Sequence, residues 1–264
     1  MGAGMTRIQS KKVKIDDLNC HYLVGGQGDP LIIIHGGSSG ASAWRENIIA
    51  LSKHYTIYVP DLPGFGLSDP HPGNYYIPEM VEFIDKFAET LGLENFYLMG
   101  HSLGGGVALH YTLKNPGKIR KLVLVSSLCL GKEIAWWIRF FSFPALCRSI
   151  GRACISLFRW IKYVARFFGP WDLVEPISRT SLQIGSCIAN LTEQTIVLLS
   201  QLPKIMVPTL VVWGARDPIV PFCQAYTAAE LIPDCRVQVF DKCGHSVYRE
   251  RLQEFTSVLA GFLG

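Results

Sequence analysis

Apolar residues along this chain come in short runs with polar or glycine-rich breaks between them. Leu31-Ile32-Ile33-Ile34 is continuous and β-branched, the pattern of a strand buried on both faces. Tyr55 to Val59, Phe96 to Met99, Leu122 to Val125, Thr209 to Trp213 and Arg236 to Phe240 read as further strands, with Lys11 to Ile15 and Asn19 to Val24 as two more near the start. Helical spacing follows in Trp44 to Ser52, Ile77 to Leu91, Val107 to Leu113 and Glu250 to Phe262. Strands alternating with helices predict a mostly parallel sheet with right-handed crossovers. From Leu128 to Leu202 the alternation stops, and the stretch reads as helices. The expected organisation is therefore an α/β core in two parts, residues 1–128 and 204–264, with a helical cap inserted at 129–203.

Composition narrows the function classes. A chain of 264 residues accommodates one large α/β domain plus an insertion. A formal charge of +4 is too mild to argue for nucleic acid, and no nucleic-acid-binding motif is present. Eight cysteines scatter along the length without a C-x-x-C pair, so neither a disulfide framework nor a metal site is expected. They read as mostly buried thiols of a reducing compartment. The start of the chain lacks a basic stretch followed by an apolar one, so no signal peptide is expected and a cytoplasmic location is. The first six residues match a short N-myristoylation pattern, for which an added leader or a start at Met5 is the favoured explanation.

The candidate chemistry centres on Gly100-His101-Ser102-Leu103-Gly104. This G-x-S-x-G sits between a predicted strand and a predicted helix, the context in which a serine is thrust out of a sharp turn. A Cβ at position 100 or 104 would press on neighbouring backbone, so glycine is required at both. A serine hydroxyl is a poor nucleophile at neutral pH and needs a base, which in turn needs an orienting carboxylate. His245 follows the last predicted strand, and Asp217 leaves the Trp213 strand at its carboxyl end, where sites of open parallel sheets collect. The chain order Ser102, Asp217, His245 is the order that hydrolases with this turn use. Two N–H donors for an oxyanion are expected from Leu103, at the helix start, and from Gly37 in the loop His35-Gly36-Gly37, with Ser38 as second choice. His35 reads as a structural loop histidine.

Together, Gly100 to Gly104, His35-Gly36-Gly37, Asp61-Leu62-Pro63-Gly64-Phe65-Gly66-Leu67-Ser68, Asp217 and His245 resemble the α/β-hydrolase fold family, nearest to its capped esterase and carbon–carbon-bond hydrolase branch. The resemblance implies an eight-stranded, mostly parallel sheet, a Ser-Asp-His triad and no cofactor. Serine at 102 sets the chain apart from haloalkane dehalogenases and epoxide hydrolases, which carry aspartate there. Ser246 stands where many carbon–carbon hydrolases have an aromatic residue, which tilts the expectation towards carboxylic esters. A carbon–carbon hydrolase and a slow-turnover ligand receptor on the same fold are the alternatives.

The inserted segment carries the substrate question. It is rich in aromatic residues around Trp136 and Trp137, and these two, with Trp44 and Ser38, are candidate substrate-pocket residues. Arg148, Arg152, Arg159, Lys162 and Arg166 fall on one helical stripe with apolar residues on the other faces. A cap helix with its apolar side over the pocket is the favoured reading, and peripheral contact with an anionic membrane is the other. A small ester with a hydrophobic acyl or alcohol group is the expected substrate; oligomeric state is not legible.

Overall fold

A computed structural model describes residues 7–70, 76–136, 139 and 193–264. Eight strands form one sheet: β1 (Gln9–Ile15), β2 (Leu18–Gly26), β3 (Asp29–Ile34), β4 (Tyr55–Pro60), β5 (Phe96–His101), β6 (Ile119–Val125), β7 (Thr209–Gly214) and β8 (Cys235–Phe240). Their spatial order is β1-β2-β4-β3-β5-β6-β7-β8. The β1·β2 and β2·β4 pairs are antiparallel and all others are parallel. Among the described residues the α-helices are α1 (Arg45–Leu51), α2 (Ile77–Thr90), α3 (Leu103–Lys114), α4 (Cys223–Leu231), α5 (Val247–Glu250) and α6 (Leu252–Leu263).

The continuous apolar runs have a simple cause. Successive strand residues point to opposite faces, and both faces are covered. Ile32, Ile34, Leu98, Leu122, Leu124, Val211 and Trp213 join one buried cluster with residues of α2, α3 and α4. Leu31, Ile33, Met99, Val123, Val125, Leu210 and Val212 join the other with α1 and α6. Full burial of each such side chain contributes roughly 1.5–3 kcal/mol. That offsets the glycine-rich start of α3, where Gly104, Gly105 and Gly106 together cost about 3 kcal/mol of helix propensity.

α3 starts at Leu103, where the oxyanion donor was expected, although its apolar run is legible only from Val107 because the first turn is nearly all glycine. Helix α4 was not expected: it is short, and only Gln224, Ala225 and Ala228 are buried, so it has no apolar stripe to read. The closing helix is broken at Arg251 into α5 and α6.

Only the ends of the inserted segment are described. Leu198 N–H donates to the Cys129 carbonyl at 2.9 Å and Gln194 N–H to the Lys132 carbonyl at 2.8 Å. The buried Gln194 side chain accepts from Cys129 N–H at 2.9 Å. The chain thus returns beside the point from which it leaves.

A polar cluster ties β2 to the loop after β4. Asp61 Oδ2 holds His21 Nδ1 at 2.6 Å, and His21 Nε2 meets the Ser10 hydroxyl at 2.8 Å. Asp61 also accepts Ala41 N–H at 2.6 Å and Leu67 N–H at 3.0 Å. The Asp61-to-Ser68 stretch is therefore folded around one carboxylate.

Candidate active site

Ser102 stands between the last residue of β5 and the first of α3, with φ 53° and ψ −115°. A non-glycine residue there is strained by about 1–3 kcal/mol, a cost that surrounding structure must hold in place. Ser102 N–H donates to the Val125 carbonyl at 2.9 Å, and its carbonyl takes the N–H groups of Gly105 at 3.0 Å, Gly106 at 3.2 Å and Leu128 at 3.1 Å. The two flanking glycines permit the close approach. A Cβ on Gly100 would collide with the Gly104 carbonyl, and one on Gly104 with the carbonyls of Ile34 and His35.

The acid and base meet at the carboxyl ends of β7 and β8. His245 Nδ1 donates to Asp217 Oδ2 at 2.7 Å. The second carboxylate oxygen accepts Ile219 N–H at 2.8 Å and Val220 N–H at 3.0 Å. Burial alone would raise the Asp217 carboxyl; the hydrogen bond and charge of His245, with the two amides, outweigh it and hold the group below its ordinary value. With Nδ1–H committed to Asp217, Nε2 of a neutral His245 is left as the proton acceptor. The His245 ring lies 4.7 Å, centroid to centroid, from that of His101, the residue preceding Ser102.

Leu103 is buried at the helix start, and Gly37 is half-buried in the loop after β3. Among the described residues neither donates a backbone hydrogen bond, so both N–H groups are available. His35 is structural, as expected: its Nε2 accepts Leu62 N–H at 3.0 Å, its Nδ1–H donates to the Gly36 carbonyl at 2.8 Å, and burial lowers its proton affinity.

This architecture has known relatives. The family pattern for the alpha/beta hydrolase fold matches residues 29–148. The chain has the α/β-hydrolase fold. The 2-hydroxymuconate semialdehyde hydrolase of Pseudomonas putida is 28% identical over 267 aligned residues, covering 90% of this chain and 88% of that protein. Among solved structures, a bacterial membrane phospholipase A superposes with a TM-score of 0.76 at 26% identity, covering 97% of this chain and 86% of that one. A carboxylesterase of Bacillus subtilis superposes at 0.75 with 20% identity, covering 97% and 92%, a likeness of fold alone.

Within this fold the expected substrate-pocket residues separate. Ser38 is exposed beside Gly37. Trp44 is corrected: it is wholly buried and stacked on Tyr248 at 3.9 Å, with an edge towards His101, so it supports the site from behind and offers no surface to a ligand. Trp136 is 72% exposed at the start of the inserted segment. Trp137 and the basic stripe from Arg148 to Arg166 lie outside the described residues. A groove of about 660 Å³ beside the His245 loop is lined by Ser42, Arg45, Glu46, Ser246, Arg249 and Glu250. It includes none of Ser102, Gly37 and Leu103, so it is no substrate recess for that serine. No helix among the described residues is long and apolar enough to cross a membrane, and none of their His, Cys, Asp and Glu groups is arranged to hold a metal ion.

Sequence reasoning passed over two side chains next to His245. His101 occupies the variable position of the pentapeptide, and Glu250 follows the histidine by five residues; neither spacing carries a signal of its own. His101 Nε2 meets the His245 carbonyl at 3.0 Å. The Glu250 carboxylate accepts Gly244 N–H at 2.8 Å and Ser246 N–H at 3.2 Å.

Proposed function

We propose that this protein of α/β-hydrolase fold is a hydrolase that cleaves carboxylic esters with hydrophobic short- to medium-chain acyl or aryl groups through an acyl-enzyme on Ser102. The observation that carries the reading is the part-buried Asp217–His245 hydrogen bond beyond β7 and β8, with the His245 ring beside His101, the residue before the strained Ser102 at the end of β5. In the first half-reaction His245 Nε2 takes the Ser102 proton as the oxygen attacks the ester carbonyl. Leu103 and Gly37 N–H groups hold the oxyanion, and His245 then gives its proton to the leaving alcohol. Water, deprotonated by the same imidazole, attacks the acyl-enzyme and releases the acid. Asp217 keeps the tautomer and stabilises the imidazolium.

The aromatic composition around Trp136 supports a hydrophobic group on the substrate, and the phospholipase A among the structural relatives supports ester chemistry. The test is hydrolysis of p-nitrophenyl esters from acetate to octanoate, with Ser102→Ala as control. Ser102-dependent turnover, highest at short to medium chains, is expected. No Ser102-dependent turnover across the series contradicts the proposal.

One observation favours a second reading: the 28% identity to 2-hydroxymuconate semialdehyde hydrolase. The same triad would then serve cleavage of a carbon–carbon bond in a dienoate ketone. Turnover of such a substrate in preference to the esters selects this reading, and Ser246 after His245 is the residue that speaks against it. Contact of the basic stripe with an anionic membrane remains a separate proposal. Cosedimentation with anionic vesicles is its expected sign, and no binding removes it.

A further inference from the structure

The loop that carries His245 leaves the carboxyl end of β8 and has little secondary structure to steady it. Lys242 adopts φ 54°, and α5 begins only at Val247. Yet an imidazole that must reach both Ser102 and Asp217 tolerates little wandering: a displacement of about 1 Å in a catalytic group can cost about 100-fold in rate. Two peptide groups of the loop are held, the one ahead of Gly244 and the one that joins His245 to Ser246. Glu250 straddles His245, taking the N–H before it at 2.8 Å and the N–H after it at 3.2 Å. His101 holds the other end of the second group, its Nε2–H donating to the His245 carbonyl at 3.0 Å.

We propose that His101 and Glu250 are positioning residues that together fix the backbone of the His245 loop, so that the imidazole is presented to Ser102 in one orientation. The proposal rests on the assignment of Ser102, Asp217 and His245 given above.

The His101 ring suits this task because it has no freedom of its own. It lies beside His245 on one side and meets Tyr248 edge-on at 5.0 Å, while Tyr248 is itself stacked on Trp44. On another side the Gly36 backbone crosses it so closely that an added Cβ would sit 2.8 Å from Nδ1. A carbonyl can only accept, so Nε2 carries the proton and Nδ1 is left as a bare lone pair, buried without a partner. Burial first, then the charge of His245, pushes the proton affinity of His101 down to about 3, against smaller opposing effects of Asp217 and the His245 carbonyl; His35 adds slightly to the lowering. The ring therefore stays neutral while His245 gains and loses its proton. It touches the loop of the expected oxyanion donor, the histidine loop and, through the chain, the nucleophile.

A residue that merely fills space or caps α5 would leave the His245–Asp217 hydrogen bond untouched, which defines the test. The low-field Nδ1–H resonance shared by His245 and Asp217, and the apparent pKa of His245, are followed by NMR in the full chain and in His101→Leu, His101→Gln, Glu250→Ala and Glu250→Gln. Ester kinetics are measured alongside. In His101→Leu and Glu250→Ala the resonance should broaden or vanish and the His245 pKa should move by about half a unit or more. In the same two variants kcat should fall about 10- to 100-fold with KM nearly unchanged. His101→Gln, whose amide N–H can reach the same carbonyl, should recover most of the loss. Glu250 is exposed, so Glu250→Ala decides the matter should His101→Leu fail to fold. Folded variants with the wild-type resonance, pKa and kcat overturn the proposal. The resonance needs no turnover: a wild type that shows it but hydrolyses no ester loses the esterase reading, and the clamp is still judged by the variants. A wild type without it loses the triad and the clamp together.

Discussion

Among the described residues two sets of Ser, His and Asp can be compared, and they differ in where they sit in the fold. At the candidate site Asp217 holds His245 at 2.7 Å; under the loop after β4, Asp61 holds His21 at 2.6 Å, and Ser10 completes that set at 2.8 Å from the imidazole. By hydrogen-bond geometry the second set is the better formed. What it lacks is everything else. Ser10 lies in the antiparallel edge strand β1 with ordinary extended backbone, whereas Ser102 is held at φ 53° against the start of a helix. Asp61 spends its other contacts on Ala41 and Leu67, folding a loop, while Asp217 spends its own on the turn that aims it at His245. A relay of the right residue types is thus common structural material. The strained elbow and available N–H groups turn one such relay into a candidate catalyst.

The comparison can be broken most severely at the serines. Ser102→Ala should lower ester turnover by roughly three to six orders of magnitude, measured as kcat/KM, and Ser10→Ala should leave it within about twofold. Next comes the pair of acids. Asp217→Asn should cost about 10⁴-fold in kcat with the melting temperature little changed, because the amide oxygen can still accept from Ile219 and Val220 while the tautomer of His245 is lost. Asp61→Asn should do the reverse. It should remove about 1–3 kcal/mol of stability, a fall of several degrees in thermal melting, with kcat per folded molecule preserved.

Acid should then sharpen the difference further. His101 is held neutral, with its proton affinity pushed from 6.5 down to about 3. Unfolding frees it to bind a proton, so stability should fall as pH drops from about 6.5 towards 3 and be fully present above that window. Asp217, whose carboxyl is held low, contributes in the same sense, its share being lost as pH falls through its folded value. Calorimetric melting across this range should show the decline, and His101→Gln should flatten it. The smallest effect is the stability of Ser10→Ala, expected to lose no more than about 1 kcal/mol because Ser10 is an exposed residue contributing one hydrogen bond, to His21.

Much of this was readable from residue order, for identifiable reasons. Strands buried on both faces, such as Leu31 to Ile34, announce themselves as unbroken apolar runs. Gly100 and Gly104 mark the elbow because no other residue fits against the backbone there. The pairing of Asp217 with His245 was legible because the loops at strand ends are short and their order is constrained. What escaped has equally physical causes. Helix α4 buries only small or polar side chains and leaves no periodic trace. Trp44 carries no mark to say whether an aromatic ring faces a ligand or, as it does, stacks on Tyr248. His101 and Glu250 act on peptide groups of a distant or irregular loop, and such contacts depend on tertiary placement that no local pattern encodes.

The most direct test of the central claim is mass-spectrometric mapping of the protein after reaction with a fluorophosphonate. A single adduct on the peptide containing Ser102, abolished by Ser102→Ala and untouched by Ser10→Ala, is the predicted result. An unlabelled wild type, or an adduct on the peptide containing Ser10, would contradict it.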